Sequence, residues 1–262
     1  MTSPLAGARR LWEELAAASP GSFPPKGEVK VLVSPESGTC PKGWVGVVTL
    51  DGSALVTAPD ARVAARVREA LRGRSVDAAG EASSYREALP VARVLGPAAL
   101  SYASPEGFRP VAAASAVEQL PGHHAALRGL ERAAGHEDAD EAALDGITSP
   151  AFVVRAHDDE VVAAAGYQLW PRRTAHLSVL VAPAARGRGL ARTVASAAVG
   201  HALAAGLLPQ WRARPEASRR VAAALGFEEL GTQLSVEIPG DGGTPRGVAN
   251  AARSRRRRRC PG

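Results

Sequence analysis

The hydrophobic pattern of this chain alternates between short apolar runs and longer amphipathic segments. Runs of about four to eight residues that are rich in Val and Leu and bounded by Gly, Pro or Asp are typical of strands. We predict strands at residues 28–34, 43–50, 53–58, 98–103, 109–113, 151–157, 160–170, 174–182 and 207–213. The runs 151–157 and 160–170 meet at Asp158 and Asp159, which predicts a hairpin. Residues 227–238 are predicted as a strand pair or as one bent strand.

Apolar residues spaced three and four apart predict helices between these strands. The predicted helices cover residues 4–18, 60–71, 136–144, 187–205 and 215–225. Ser115 and Glu118 have the spacing of a capping box and predict the start of one more helix. Its apolar positions include Leu120, His124, Leu127 and Leu130. In the last helix, Pro215 suits the first helical position and Gly226 suits the residue after the end. Residues 72–90 are polar and poorly patterned.

Turn residues and charge divide the chain into three parts. Residues 104–108 read Ser-Pro-Glu-Gly-Phe, a cluster of turn residues that marks a boundary. Residues 240–262 hold seven arginines and one acid and so carry a charge of +6, while the rest of the chain sums to zero. A Gly-rich segment with a run of arginines is disordered by composition. We predict an N-terminal α/β subdomain at 1–108, a second domain at 109–239 and a disordered arginine-rich tail at 240–262.

Composition also bears on partners and compartment. No nucleic-acid-binding motif accompanies the arginine run, so we expect weak binding to any polyanion and no specific nucleic-acid partner. Cys40 and Cys260 make neither a disulfide framework nor zinc-ligand spacing, which fits a reducing cytoplasm. The first residues are charged where a signal peptide would be apolar. The longest apolar stretch, 193–209, contains His201 and is too short to span a bilayer comfortably. We expect a cytoplasmic protein with no membrane partner.

Residues 177–192, LSVLVAPAARGRGLAR, predict a strand, a basic glycine-rich turn and the start of a helix. Gly187 and Gly189 allow the backbone to come close to a ligand. The first N–H groups of a helix have no internal partner, and the helix dipole adds about half a positive charge, so a phosphate or pyrophosphate suits this position. Positive charge is added by Arg186, Arg188 and Arg192. A turn required only for packing is the alternative interpretation, and the GxGxxG and P-loop patterns do not fit.

The six residues from Arg186 to Ala191 match [QR]-x-x-G-x-[GA], the signature of the GCN5-related N-acetyltransferases, the GNAT family. The chain resembles this family over about residues 110–238, where residues 215–227 are similar to the family's closing helix and its Leu-Gly-Phe ending. The resemblance implies an α/β (α+β) fold with a GNAT-like mixed, mostly antiparallel twisted sheet flanked by helices. The implied order is β-α-α-β-β-β-α-β-α-β. Residues 1–104 resemble a degenerate copy of the same fold and are interpreted as structural or substrate-shaping.

The resemblance implies acetyl-CoA as the co-substrate, and no metal. Backbone N–H groups of the basic turn would hold the pyrophosphate, and the strand before it would pair with the pantetheine arm. The implied cofactor-binding residues are Val179, Leu180, Val181, Arg186, Gly187, Arg188, Gly189, Leu190, Ala191 and Arg192.

The implied activity is transfer of an acetyl group to an amine by direct attack on the thioester, which requires a group that takes a proton. The family commonly uses a glutamate base and a tyrosine acid, but the matching positions hold Ala175, Gln210 and Ala222. His176 is the remaining candidate base, and a strand histidine that only bonds a neighbour is the alternative. A non-catalytic acyl-CoA-binding or regulatory module is therefore a second function, and a polyanion-binding protein a third.

Two further groups of residues have open interpretations. Aromatic side chains that either wall an acceptor pocket or pack in the core are Tyr167, Trp170 and Trp211. A possible metal cluster, explained better as acids in the first turn of a helix, consists of His136, Glu137, Asp138 and Asp140. The partner is expected to be a small-molecule or peptide amine. Small amines, antibiotics, peptide N-termini and protein lysines all stay open, and the oligomeric state is not predicted.

Overall fold

The computed structural model describes residues 3–111, 116–157 and 159–239. Its strands are β1 (Val29–Val33), β2 (Val45–Leu50), β3 (Ser53–Ala58), β4 (Arg93–Tyr102), β5 (Glu118–Leu120), β6 (Ala151–Arg155), β7 (Val161–Trp170), β8 (Thr174–Val181), β9 (Leu208–Ala213) and β10 (Glu228–Glu237). Its helices are α1 (Pro4–Leu15), α2 (Ala61–Ala70), α3 (Val76–Ala79), α4 (Ala82–Arg86), α5 (Ala125–Ala134), α6 (His136–Ala142), α7 (Leu190–Ala204) and α8 (Glu216–Ala224).

The strands of the described part form one sheet in the order β1-β3-β2-β10-β4-β9-β8-β7-β6-β5. The pairs β1/β3 and β8/β9 are parallel, and the other neighbours in that order are antiparallel. The mixed, mostly antiparallel sheet flanked by helices is therefore confirmed. From β5 to β10 the elements also follow the order that the resemblance implies.

The two faces of this sheet carry different helices, because successive side chains of a strand point to opposite faces. Tyr167 of β7 bonds to His201 of α7 through Oη and Nδ1, 2.9 Å apart, which places α7 on one face, called here the α7 face. Trp12 of α1 donates from Nε1 to Tyr102 Oη of β4 at 2.7 Å, which places α1 on the other, the α1 face. Helix α6 also lies on the α1 face, where Ser178 Oγ donates to the carbonyl oxygen of Ala143, the residue that ends it.

Strands from the two sides of the predicted boundary at residue 108 interleave in this sheet. Strand β10 lies between β2 and β4, and β4 lies between β10 and β9. Tyr102 illustrates the arrangement, since it is opposite Glu228 on one side and Gln210 on the other. The division into 1–108 and 109–239 stays a prediction about sequence, and the sheet itself is continuous across it. The predicted tail at 240–262 lies outside the described residues.

Most predicted elements are found within a few residues of their predicted bounds, but the segment after residue 108 differs. Residues 109–111 are not a strand, and residues 112–115, including the Ser115 cap, lie outside the described residues. Glu118 and Leu120 belong to β5, so the prediction that they lie in a helix was wrong. The helix begins only after Pro121 and Gly122, where His124 Nδ1 accepts from the N–H of Ala126 at 3.2 Å.

Smaller differences concern residues 72–90, the last helix and the hairpin. Residues 72–90 contain α3 and α4, which at four and five residues are too short to show a helical period. Pro215 is the N-cap of α8 and not its first residue, while Gly226 follows the C-cap with φ +85°, as predicted. Strands β6 and β7 form the predicted hairpin, although Asp158 lies outside the described residues. The described residues contain no helix that is long and apolar enough to cross a membrane.

Candidate functional site

The glycine-rich turn precedes α7 and faces open space. Gly187 and Gly189 have φ values of +77° and +79°, in the region that favours glycine. A Cβ atom at either position would meet nothing within 4 Å. Glycine is therefore favoured here by the backbone conformation and not by a lack of space for a side chain. Thr193 N donates to Gly189 O at 3.1 Å as the first turn of the helix closes. The N–H groups of residues 190–192 precede that bond and are left for an external acceptor.

One arginine of the turn is tied to a neighbouring helix. Arg186 forms an ion pair with Asp138 of α6, with 2.5 Å between Nη2 and Oδ2, and its Nε donates to Val181 O at 3.4 Å. Arg188 and Arg192 are exposed at the same turn. Asp138 therefore holds the turn against α6. The described residues contain no three His, Cys, Asp or Glu side chains that are placed to hold a metal ion, so the 136–140 cluster is not arranged as a metal site.

Strands β8 and β9 pair over three residues and then separate. Their register ends at His176 opposite Gln210, beyond which β9 pairs with β4. Strand β8 continues to Val181, paired only with β7 on its other side within the described sheet. The β9-facing backbone edge of residues 177–181 is therefore open, and it leads through Pro183–Ala185 to the glycine-rich turn. An extended chain with amide groups can bond to such an edge.

A row of polar side chains crosses the α1 face at the point where these strands separate. Directly opposite residues share a face, so Tyr102, Gln210, His176 and Gln168 lie in line across β4, β9, β8 and β7. His176 Nδ1 and Gln210 Oε1 are 2.5 Å apart. Because an amide oxygen only accepts, Nδ1 carries the proton and Nε2 of His176 holds the free lone pair. Trp170 stacks on the imidazole with ring centroids 4.0 Å apart.

The electrostatic surroundings keep this histidine neutral. Burial and, to a smaller extent, the positive charge of Arg212 lower the pKa of His176 to about 4, while the hydrogen bond to Gln210 acts in the opposite direction. The imidazole is therefore unprotonated at neutral pH and able to accept a proton. Its basicity is lower than that of an ordinary histidine, whose pKa is about 6.5.

Gln210 is a fully buried link between β8 and β4. Its Oε1 lies against His176, and Tyr102 is directly opposite it in β4. Burial raises the pKa of Tyr102, and contacts with Trp12 and Gln210 act in the opposite direction.

Residues 152–232 match the family model described as GNAT acetyltransferase. The match covers 81 of the chain's 262 residues, so the similarity to this family concerns that part alone. No curated protein matches the chain by sequence.

Solved structures are similar over part of the chain. A GNAT-family acetyltransferase from Colwellia psychrerythraea is 16% identical, with 57% of this chain and 58% of that one covered and a TM-score of 0.45. A GCN5-related N-acetyltransferase from Kribbella flavida is 19% identical, with 62% and 64% covered and a TM-score of 0.46. A GNAT superfamily phosphinothricin acetyltransferase from Sinorhizobium meliloti, in complex with AcCoA, is 20% identical, with 54% and 100% covered and a TM-score of 0.37. The chain thus spans less than two thirds of the first two.

Within this part of the chain, the structure separates the predicted aromatic residues. Tyr167 and Trp211 point to the α7 face and are core residues, since Trp211 donates from Nε1 to Ser218 Oγ of α8 and its ring lies against Phe227. Trp170 alone of the three lies beside His176. Ala175 and Ala222 are buried and carry no acid or base.

Sequence reasoning missed a pocket of about 330 Å³ on the α1 face. Arg212 of β9, Gln233 of β10 and residues 38–41 line it. The one sequence signal was Arg212, the single charged residue of β9, which lies two residues from Gln210 and so points to the same face. The 38–41 segment and β10 come from distant parts of the sequence, and no local pattern brings them together.

Proposed function

We propose that this protein transfers an acetyl group from acetyl-CoA to an amine acceptor by direct attack of the amine on the thioester. The observation that carries the proposal is the continuity between two features: the open edge of β8 at residues 177–181 and the glycine turn that follows it. One suits the amide-bearing pantetheine arm, and the other suits a pyrophosphate.

The residues of the chain divide the work of this reaction. The N–H groups of residues 187–192 bind the pyrophosphate, with Arg188 and Arg192 adding positive charge. Residues 179–181 pair with the pantetheine arm and direct the thioester to the separation of β8 and β9. There the amine nitrogen bonds to the acetyl carbon as the carbon–sulfur bond breaks, and the CoA thiolate leaves. His176 Nε2 takes the proton that the nitrogen loses, directly or through water.

The lowered pKa of His176 favours one second candidate, a non-catalytic acyl-CoA-binding module. A base whose pKa is about 4 drives proton removal from an amine weakly at neutral pH. The positions at Ala175 and Ala222 supply no other acid or base. Binding of acetyl-CoA without release of free thiol in the presence of amines would support this second function.

Gly189→Asp tests the acetyl-CoA site. The substitution places a negative side chain where a phosphate would approach the backbone, so we expect acetyl-CoA affinity by isothermal titration to fall at least about tenfold (1.4 kcal/mol). Gly73→Asp is the matched control, because Gly73 is also exposed, has φ +72° and has nothing within 4 Å of an added Cβ. Equal acetyl-CoA affinity in the two folded variants would exclude the turn as the binding site.

A further inference from the structure

The pocket on the α1 face lies beside the reaction centre just described. It is lined by residues of β4, β9 and β10, by residues 38–41 and by Glu141 of α6, and its volume is about 330 Å³. Arg212 points into it from β9, two residues and roughly 7 Å along the strand from Gln210. The volume is at the lower end of the range for small-molecule sites, so the pocket fits a metabolite-sized ligand better than a protein partner.

The charges that line this pocket do not balance. Among the described residues they belong to Glu141, Arg212 and Arg214. Arg214 forms a bidentate ion pair with Glu141, which neutralises both. Arg212 has no carboxylate within ion-pair distance in the described part of the chain, and its hydrogen bond goes to a neutral amide. One positive charge is therefore left for a ligand.

The remaining guanidinium is held in a fixed position. Arg212 Nη1 donates to Gln233 Oε1 at 3.1 Å, and Gln233 Nε2 donates in turn to Thr39 O at 2.5 Å. Gln233 thus links the arginine to the 38–41 segment. A guanidinium has five N–H donors in a planar fork that matches a carboxylate, and this bond uses one of them. Arg212 is an exposed residue, so the other donors of its fork are accessible to an anionic ligand.

Helix α6 contacts both sites, the pocket through Glu141 and the acetyl-CoA turn through Asp138. Arg212 shares the α1 face with Gln210 and His176. A ligand held by Arg212 would therefore meet the thioester from the side where His176 accepts a proton.

We propose that Arg212 binds a carboxylate of the acceptor, and that the acceptor is a small amine of the amino-acid type. The inference rests on the proposed acetyl transfer for the identity of this ligand as acceptor. The carboxylate lies against the Arg212 fork, and the amine of the same molecule points toward the separation of β8 and β9.

Matched acceptors test this assignment. Each standard L-amino acid is compared with its carboxamide and its decarboxylated amine, by release of free CoA thiol and by isothermal titration in the presence of CoA. We expect the wild-type protein to prefer the carboxylate form of at least one amino acid at least tenfold in kcat/KM. In Arg212→Gln, KM for that amino acid should rise at least tenfold and the preference over the carboxamide should disappear. Acetyl-CoA affinity should stay unchanged.

Arg219→Gln is the control for loss of one positive charge, since Arg219 of α8 pairs with Glu229 away from the pocket. It should keep the wild-type preference. Arg212→Lys should restore only part of the affinity, because an ammonium group lacks the fork. Tighter binding of aminophosphonates than of the amino acids would overturn the carboxylate assignment.

The two readouts separate this inference from the proposed function. Acetylation without any preference for carboxylates would overturn the Arg212 assignment and leave the acetyl transfer intact. Arg212-dependent binding of carboxylate amines without any thiol release would support the pocket and overturn the transfer. If no amino acid binds and none causes thiol release, the inference is overturned outright.

Discussion

His176 of β8 donates a hydrogen bond from Nδ1 to Gln210 Oε1 of β9, at the last paired position before the two strands separate. This bond fixes the tautomer of the imidazole and therefore leaves Nε2 as its basic atom. The neutral amide orients the ring without supplying a negative charge, so the pKa of the histidine stays low. The consequences for stability and for catalysis can be measured separately.

The first prediction concerns stability at acidic pH. The pKa of His176 is about 4 in the folded protein and about 6.5 in an unfolded chain, so the unfolded state binds more protons between these values. The free energy of unfolding should therefore be at its full value above pH 6.5 and fall by up to about 3 kcal/mol as the pH drops toward 4. Urea denaturation of wild type and His176→Gln over this range measures the contribution. An equal pH dependence in both proteins would contradict the low pKa.

The second prediction concerns His176 as the base. His176→Ala should lower kcat by about 10²–10⁴ while acetyl-CoA affinity stays nearly unchanged. The sequence alone predicts an activity loss below a pKa near 6–7, whereas the structure moves that loss toward pH 4 in the free enzyme. Steady-state kinetics over pH 4.5–8 test both points. A kcat within about threefold of wild type, which corresponds to a change of under about 1 kcal/mol in the activation free energy, would exclude the base role.

The third prediction concerns the ion pair between Arg186 and Asp138. Both side chains are close to half exposed, so Asp138→Asn should change the free energy of unfolding by less than about 1 kcal/mol. Removing a carboxylate next to the turn should strengthen acetyl-CoA binding about two- to fivefold at low salt and less at high salt. Titration at two salt concentrations measures this. Weaker binding would show instead that the pair is needed to hold the turn in shape.

The fourth prediction concerns the end of α8. Gly226 has φ +85°, and an added Cβ would lie 1.9 Å from the carbonyl oxygen of Gly107. Gly226→Ala should therefore lower the free energy of unfolding by more than about 2 kcal/mol. Gly73 has a similar φ but open space around an added Cβ. Gly73→Ala should therefore lower the free energy of unfolding by only about 1 kcal/mol, which is the cost of the backbone conformation alone. Similar losses in the two variants would mean that the contact with Gly107 relaxes freely.

Local patterns predicted what depends on neighbouring residues. The strand at 174–182, the glycine turn and α7 follow from apolar runs, turn residues and helix periodicity within a few residues of one another. Pairing between distant segments leaves no such local mark. The insertion of β4 between β9 and β10, and the pocket that it helps to form, depend on contacts across more than a hundred residues of sequence.

The helix predicted from Ser115 shows the opposite error, in which a local pattern was given too much weight. The apolar spacing of Leu120, Leu127 and Leu130 is helical, but Pro121 and Gly122 interrupt it. Leu120 pairs in β5 with Ala151, so a strand pairing overrides the helical spacing. The sequence identified His176 as a candidate base but did not predict its pKa. That pKa depends on burial and on Arg212, and neither follows from the residues around His176.

The place of β10 between β2 and β4 has a consequence for biosynthesis. Both neighbours are synthesised long before it, since 126 residues separate Tyr102 from Glu228, its partner in the register. At about 5–20 residues per second, the ribosome needs roughly 6–25 s to make that stretch. During this interval the edge of β2 that β10 later covers is exposed to other chains. Because β2 is rich in valine, this edge is prone to intermolecular pairing. The sheet therefore closes only after translation has passed residue 237, and slower elongation between β4 and β10 should increase aggregation of the nascent chain.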